Sequence, residues 1–250
     1  MSGIVDLCGD ESNKSPRFST QQSIVAIIGT DIIYHSDLQT LSPGYWINDS
    51  IFSSFMTIMN DRDESLFDRA VVQKRSFFFD ALLVPLLMED RDGYNYKKVR
   101  KKSRQAPGQD IFALHNLYFP VCIRREHWAL LTVNISEKKI TYYDSLENDG
   151  WRHLRCCLRY LRDEHRAIHK REIDDSPTWM ANLSTCYGLP LQVGSDDCGV
   201  FACARAEFLY HGINLALFNQ AHVVDYREKL KDLILSRQII HSPLVDTPDS

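Results

Sequence analysis

The fold is decided by the stretch His127-Trp-Ala-Leu-Leu-Thr-Val-Asn134 and by Lys139-Ile-Thr-Tyr-Tyr-Asp144, which follows it after a short polar turn. Both segments are rich in β-branched and aromatic residues, and this pattern predicts a β-hairpin. A turn centred near residue 136 would place His127 and Asp144 opposite each other, with Cβ atoms about 5 Å apart. The hairpin therefore predicts an imidazole and a carboxylate side by side at one end of a sheet.

The segments on either side of the hairpin predict a sheet flanked by helices. Residues 118–123 have the pattern of a buried strand, whereas residues 76–88 are almost continuously apolar and fit either a helix or a strand. Apolar residues at helical spacing predict four helices, one beginning near Asn48 and the others covering about residues 151–170, 198–212 and 223–237. Together these elements predict an α+β fold with a central mixed, largely antiparallel sheet.

Composition and charge are those of an ordinary globular chain with no bulk affinity for nucleic acid. Of the 250 residues, 44% are hydrophobic and 25% are charged, and the net charge is −4. Seven cysteines without paired spacing, and no visible secretory signal or membrane-length apolar run, favour a reducing compartment. We expect a soluble intracellular protein, nuclear or cytoplasmic. Its one domain would span residues 23–241, between a flexible leader at 1–22 and a flexible tail at 242–250.

Cys198 lies at the first turn of a predicted helix, where unpaired N–H groups and the helix dipole favour a thiolate. Asp196 or Asp197 is a candidate N-cap of this helix, and their charge opposes the thiolate unless a cationic partner is near. The following Gly199 would leave room for a substrate backbone. A lone cysteine in this position is more often a small buried residue. A catalytic interpretation therefore depends on its partners.

The partners of Cys198 are supplied by the hairpin and by the loop before the helix. Asp144 would orient one ring nitrogen of His127 so that the other faces the thiol, which is the arrangement of a catalytic triad. Gln192, six residues before Cys198, has an amide that could stabilise an oxyanion together with the Cys198 N–H. Each of these residues alone would be interpreted as structural. Together they predict nucleophilic catalysis by Cys198.

Sequence blocks around these residues resemble the Ulp/SENP family of SUMO proteases. The His-Trp, Tyr-Asp-Ser and Gln-x5-Cys-Gly blocks of that family match His127-Trp128, Tyr142 to Ser145, and Gln192 to Phe201. Upstream, Leu41 to Asp49 is similar to a Leu-x4-Trp-Leu-Asn-Asp block, with Ile47 in place of leucine. Downstream, Phe218 to Arg227 keeps the spacing of a Phe-x-Gln-x-His-Met-x3-Arg segment. The similarity covers about residues 35–240 in order.

The resemblance implies a papain-like, adenain-like fold and a cysteine isopeptidase or endopeptidase that cleaves after the C-terminal Gly-Gly of a ubiquitin-like modifier. It implies that Trp46 and Trp128 close over the flat glycine tail, and that Asp49 contacts a basic residue of the modifier; packing and helix capping are the structural alternatives. SUMO and its lysine conjugates would be the partners, with no nucleic acid, no membrane, no cofactor and a monomeric enzyme. The chain order His, Asp, Gln, Cys differs from that of papain, in which the cysteine comes first.

Several features keep other functions open. Residues 97–104 contain six basic residues where the family has a Trp-Thr-like stretch, so a deubiquitinase or deneddylase of the same fold remains an alternative. The run itself predicts a nuclear localisation signal, a docking strip for an acidic surface or a solvated loop. A clan-related acetyltransferase effector, a viral-type processing protease and a non-catalytic modifier-binding module are further alternatives. His165 and His169 are four residues apart but lack a second ligand pair, so no metal site is predicted.

Overall fold

The computed structural model describes residues 23–88 and 94–237, so the predicted leader at 1–22 and tail at 242–250 lie outside the described residues. Its strands are β1 (Ile24–Ile28), β2 (Asp31–Tyr34), β3 (Phe77–Phe78), β4 (Asn116–Ile123), β5 (His127–Asn134), β6 (Lys139–Tyr143) and β7 (Leu183–Cys186). Strands β1 and β2 form an antiparallel hairpin, and the other five form one sheet in the order β3-β4-β5-β6-β7. The three central strands are antiparallel and both outer strands are parallel to their neighbours. The predicted mixed sheet is confirmed.

Helices cover both faces of this sheet. They are α1 (His35–Gln39), α2 (Asp49–Asp68), α3 (Leu83–Leu87), α4 (Tyr96–Val99), α5 (Trp151–His169), α6 (Ser176–Ala181), α7 (Cys198–Tyr210) and α8 (Val223–Leu235). Alternate residues of β5 point to opposite faces: Trp128 and Leu130 pack with α2, α7 and α8, whereas Ala129 and Leu131 pack with α3 and α5. Because both faces are buried, the sheet lies between two hydrophobic cores. The fold is α+β, as the sequence predicts.

The segment at residues 76–88, whose sequence fits either a helix or a strand, contains one of each. It begins with β3 at the edge of the sheet and continues after a turn into α3. Phe77, Phe78 and Phe79 are all buried, but they belong to two different cores. A strand that is buried on both faces lacks the alternation of polar and apolar residues. Periodicity therefore cannot distinguish a strand from a buried helix in this segment.

Helix α7 runs through one of the two cores. Every residue from Cys198 to Glu207 is buried, because the helix lies between the sheet on one side and α2 and α8 on the other. Its start and its end near Gly212 agree with the prediction, and Gly212 has the positive φ of 66° that is common just after a helix. This packing fixes the position of the helix start relative to β5.

The hairpin β5–β6 forms as predicted, with one correction to its register. Asn134 pairs with Lys139, and the last pair of the ladder is Leu130 with Tyr143. His127 and Asp144 are therefore not cross-strand partners, and both lie beyond the last pair. Among the described helices, none is long and apolar enough to cross a bilayer.

Candidate active site

The start of α7 abuts the start of β5. The Cys198 side chain is 1% exposed, and its Sγ accepts a hydrogen bond from the backbone N–H of Trp128 at 3.4 Å. Since Trp128 follows His127 directly, this contact brings the sulfur next to the imidazole. Cys198 is one of six cysteines in the described part of the chain, all of them free thiols. The strand and the helix thus bring a thiol and an imidazole from distant parts of the sequence to one point.

Asp144 orients the imidazole of His127 through one ring nitrogen. Its Oδ1 lies 2.7 Å from His127 Nε2. The same carboxylate accepts hydrogen bonds from the Leu146 N–H at 2.7 Å, from Asn148 Nδ2 at 2.9 Å and from the Tyr142 hydroxyl at 3.1 Å. Burial alone would raise the pKa of Asp144, but the bonds from His127, Leu146 and Asn148 outweigh it and lower the pKa. The carboxylate is therefore held in its ionised form.

The environment of His127 favours the protonated imidazole. Burial lowers the pKa of His127, whereas the hydrogen bond to Asp144 and the interaction with the Cys198 sulfur raise it, and the net result is a pKa of about 9. The ring therefore carries a positive charge at neutral pH. A cationic imidazole beside a buried sulfur is the environment that stabilises a reactive thiolate. The predicted trio of His127, Asp144 and Cys198 is brought together.

Gln192 lies in the loop before α7, beside the residue that follows Asp144. Its side-chain Oε1 accepts a hydrogen bond from Ser145 Oγ at 2.6 Å, and its backbone N–H donates to the Ser145 carbonyl at 3.3 Å. Its Nε2 donates to the carbonyl of Gly194 at 2.9 Å, and Gly194 turns the loop with a positive φ of 87°. Because Ser145 holds the carbonyl end of the amide, the N–H₂ end is the one left to donate, and one of its two hydrogens remains for a ligand.

The two tryptophans differ in exposure. Trp46 is 45% exposed, whereas Trp128 is 7% exposed and packs on Phe52 with ring centroids 4.8 Å apart. They are linked through the backbone, since Trp128 Nε1 donates to the carbonyl of Ile47 at 2.7 Å. Most of the Trp128 ring is thus covered by protein, and Trp46 is the indole that presents a large surface to a ligand.

Gly199 and Asp49, the two other residues predicted to contact the substrate, lie near the starts of α7 and α2. A Cβ at residue 199 would lie 3.0 Å from Ile47 Cβ and 3.2 Å from Trp128 Cδ1, so a side chain here would have to displace one of these buried neighbours. Asp49 is exposed at the first position of α2, and the capping residue is its neighbour Asn48, whose side chain accepts the Ile51 N–H at 3.0 Å. The Asp49 carboxylate is therefore not needed as a cap.

Of the two N-cap candidates, Asp197 has the predicted position, and only the expected side-chain bond is wrong. Asp197 occupies the N-cap position of α7, but its side chain makes no capping bond. Its Oδ1 instead accepts a bond from Arg227 Nη2 at 2.7 Å, and its Oδ2 accepts one from Gln220 Nε2 at 2.7 Å. The guanidinium neutralises the carboxylate that was expected to oppose a thiolate at Cys198. Local sequence cannot reveal this pairing, because Arg227 lies thirty residues further along the chain.

Other candidate groups lie away from this site. His165 Nδ1 is 3.0 Å from the Arg171 carbonyl, and His169 Nε2 is 3.3 Å from Asp110 Oδ2, so both histidines have structural partners. The basic run begins in α4, with Lys97, Arg100, Lys101 and Arg104 exposed and Lys102 paired with Asp80. Its three interpretations remain predictions.

Comparison with known proteins gives one consistent family. Residues 45–239 match the model of the Ulp1 protease family, C-terminal catalytic domain. The chain is 27% identical to sentrin-specific protease 2 of Pongo abelii over 209 residues, which are 83% of this chain and 33% of that protein. It is 28% identical to ubiquitin-like-specific protease 1A of Arabidopsis thaliana over 200 residues, 79% of this chain and 38% of that protein. The chain thus spans about a third of the length of these curated relatives.

A solved structure has the same fold. The yeast Ulp1 C-terminal protease domain, solved in complex with Smt3, the yeast ortholog of SUMO, superimposes with a TM-score of 0.67. The match covers 88% of this chain and 90% of that one, at 23% sequence identity. Similarity at this level of identity establishes the architecture, and the roles of individual side chains still depend on their own geometry.

Proposed function

Because the chain belongs to the Ulp1 protease family, we propose that it is a cysteine protease that cleaves after the C-terminal Gly-Gly of a ubiquitin-like modifier, SUMO in the first place. The observation that carries this proposal is the 2.7 Å contact between His127 and Asp144, combined with a Cys198 sulfur bonded to the next residue of the same strand. A protein that only binds a modifier would need neither of these two contacts. The named SUMO proteases among the relatives support the choice of modifier.

The reaction that we propose starts from a Cys198 thiolate and a protonated His127. The thiolate attacks the carbonyl carbon of the terminal glycine, and the resulting oxyanion accepts hydrogen bonds from Gln192 Nε2 and from backbone N–H groups at the start of α7. The C–N bond then breaks, and the proton of His127 passes to the leaving lysine amine. This leaves a thioester between the modifier and Cys198. Water, deprotonated by His127, hydrolyses the thioester and restores the thiolate.

Specificity for glycine would come from the surface between Trp46 and the start of α7. The exposed face of Trp46 can cover a flat Gly-Gly tail, while Trp128 fixes the adjacent backbone through the Ile47 carbonyl. We expect residues that carry a Cβ to be disfavoured beneath the Trp46 indole, because only glycine lets the backbone lie flat against the ring. The carboxylate of Asp49, at the exposed start of α2, would contact a basic residue of the bound modifier.

We also propose that the enzyme acts as a monomer inside the cell, in the nucleus or the cytoplasm. The catalytic thiol and the five other described cysteines are free, which fits a reducing compartment. The exposed basic residues of the 97–104 run would suit a nuclear localisation signal. Fusion of residues 94–106 to a fluorescent protein tests this directly, since nuclear accumulation of the fusion supports the signal and a uniform distribution removes it.

The proposed activity is tested by hydrolysis of a panel of modifiers with a fluorogenic group at the C-terminal glycine. We expect SUMO to be hydrolysed far faster than NEDD8 or ubiquitin, and Cys198→Ala to abolish the activity. The matched control is Cys203→Ala, which removes another buried thiol from the same helix and should retain activity. Preference for ubiquitin or NEDD8 would reassign the modifier. Hydrolysis that survives Cys198→Ala, or no hydrolysis by the parent, would overturn the proposal.

A further inference from the structure

A network of hydrogen bonds behind the nucleophile begins at Arg227. This side chain is 1% exposed, although arginine is seldom buried without strong partners. Its guanidinium donates to the backbone carbonyls of Thr40 and Ser42, each at 3.3 Å, and of Tyr45 at 3.0 Å. These carbonyls belong to the loop that ends at Trp46. One buried cation of α8 therefore holds the loop that carries the exposed indole.

The network continues from Arg227 to the residue before the nucleophile. Arg227 Nη2 donates to the Asp196 carbonyl at 3.0 Å and to Asp197 Oδ1 at 2.7 Å, and Nε donates to the same oxygen at 3.2 Å. Charge-assisted bonds of this kind are shorter and stronger than bonds between neutral groups, and the planar guanidinium fixes their directions. The loop of Trp46 and the start of α7 are thus held by the same planar group.

Gln220 extends the network to the loop of the proposed oxyanion donor. Its Nε2 donates to Asp197 Oδ2 at 2.7 Å, so the two carboxylate oxygens are assigned to two different partners. Its Oε1 accepts the backbone N–H of Val193 at 2.8 Å. Val193 directly follows Gln192. The amide of Gln220 therefore bridges the N-cap of the nucleophile helix and the backbone next to Gln192.

We propose that Arg227, Asp197 and Gln220 are positioning residues with two separable effects on catalysis. Gln220 keeps the Gln192 amide in place for the oxyanion, and Arg227 keeps the Trp46 loop in place for the glycine tail. Asp197 joins the two halves to the first residue of α7. This inference rests on the proposed function, because it assigns Gln192 and Trp46 their parts in that reaction. None of the three residues touches the substrate, and each acts only by holding a residue that does.

The effect of Gln220 is tested by a double-mutant cycle with Gln192. Loss of one oxyanion donor lowers kcat by about 10²-fold, and its displacement by a fraction of an ångström costs part of that. We expect Gln220→Ala to lower kcat about tenfold with little change in KM, and to have no further effect in a Gln192→Ala background. If the double variant instead loses kcat by the product of the two single losses, the proposal is overturned, because Gln220 would then not act through Gln192.

A matched control for Gln220→Ala is Asn60→Ala. The Asn60 amide also makes two hydrogen bonds, accepting the Phe78 N–H at 2.9 Å and donating to the Phe78 carbonyl at 2.8 Å, but it lies in the second half of α2 against β3. We expect this variant to lose stability without a change in kcat. An equal loss of kcat in Asn60→Ala would show a general structural effect and refute the specific role of Gln220.

The effect of Arg227 is tested by Arg227→Lys, which keeps the charge but loses the planar set of donors. We expect KM for a SUMO substrate to rise about tenfold, because the Trp46 loop is released. The control is Arg75→Lys, which alters another partly buried arginine, paired with Asp63 away from the site. An unchanged KM in Arg227→Lys, or an equal rise in Arg75→Lys, would contradict the proposal. If Arg227→Lys does not fold, Asp197→Asn tests the link between the Trp46 loop and α7, because it removes the charge that Arg227 binds and leaves the shape nearly unchanged; an unchanged KM in this variant would likewise contradict the proposal.

Hydrogen exchange separates a failure of this inference from a failure of the proposed function, because it needs no substrate. We expect Gln220→Ala to accelerate amide exchange in residues 190–197 alone, and Arg227→Lys to accelerate it in residues 40–47 as well. If the parent cleaves no modifier, the proposed function fails and the exchange pattern still decides whether the network holds these loops. Unchanged exchange in both segments would overturn the inference even in an active enzyme.

Discussion

Replacement of Asp144 by asparagine tests the electrostatic core of the site. The carboxylate accepts four hydrogen bonds, two at each oxygen, from His127 and Leu146 on one side and from Tyr142 and Asn148 on the other. An amide has one acceptor oxygen, so in Asp144→Asn an N–H₂ group must face one of these two sets of donors. The variant removes the negative charge and leaves the shape almost unchanged.

The size of the effect follows from the pKa of His127. This pKa is about 9, compared with 6.5 for an unperturbed histidine. The difference corresponds to about 3 kcal/mol, at about 1.4 kcal/mol per pKa unit. Without the carboxylate, burial still lowers the pKa of His127 and only the Cys198 sulfur raises it, so we expect the pKa to fall well below that of the parent. The imidazole then holds its proton less strongly at neutral pH, and kcat/KM should fall by about 10²- to 10³-fold.

The assay combines a pH titration of the His127 ring by NMR with the pH dependence of kcat/KM for a fluorogenic modifier. In the parent, activity should decline at about pH 9, and in Asp144→Asn this decline should move to lower pH. Asp149→Asn is the control, because Asp149 is exposed and its carboxylate accepts the backbone N–H of Trp151 at the start of α5, away from His127. A His127 pKa that stays near 9 in Asp144→Asn, or a loss of less than tenfold, would refute the reasoning.

Three further predictions concern the same site. Gly199→Ala should lower the free energy of unfolding by about 1–3 kcal/mol in urea denaturation, because the new Cβ would lie 3.0 Å from Ile47 Cβ; unchanged stability would contradict the packing. Trp46→Ala should raise KM about tenfold at constant stability, and an unchanged KM would remove this indole from the substrate site. Trp128→Ala, in contrast, should lower the free energy of unfolding by about 3 kcal/mol, because Trp128 is buried. Because folding raises the pKa of His127 from 6.5 to about 9, its contribution to stability is complete below pH 6.5 and disappears as the pH rises to 9. The free energy of unfolding should therefore fall by up to about 3 kcal/mol more over this range in the parent than in His127→Gln, and parallel curves would exclude this contribution.

The sequence predicted most of the elements that build the site. The amphipathic pattern of residues 151–170 became α5, and the β-branched hairpin became β5 and β6. These predictions succeed because one strong periodicity identifies each element, and tertiary packing then follows the same apolar face. The resemblance to the Ulp/SENP family, stated on short blocks around His127 and Cys198, is confirmed by the match over residues 45–239.

The register of the hairpin shows where local reasoning ends. The observed pairs place the centre of the turn between residues 136 and 137, and Lys138 adopts a positive φ of 51° that its residue type does not suggest. The prediction of a direct cross-strand pair was therefore wrong, although His127 and Asp144 still meet beyond the last pair. Side chains at a strand end can reach each other without being opposite.

Contacts between distant segments could not be predicted at all. Asp197 looks like a helix cap in the sequence, and only the fold shows that Arg227 and Gln220 bind its carboxylate instead. Ser145 belongs to the Tyr-Asp-Ser block, but its bond to Gln192 depends on how the loop before α7 returns to β6. Such pairs depend on tertiary geometry, and no spacing rule within one element encodes them.

The most direct test of the account is the site and rate of covalent capture by SUMO that carries a propargyl group in place of its terminal glycine carboxylate. Peptide mapping of the adduct should place the modifier on Cys198 alone among the seven cysteines, with capture slowed at least about 10²-fold in His127→Ala. Capture at another cysteine, or an equal rate in His127→Ala, would contradict the claim that Cys198, His127 and Asp144 act as one catalytic unit.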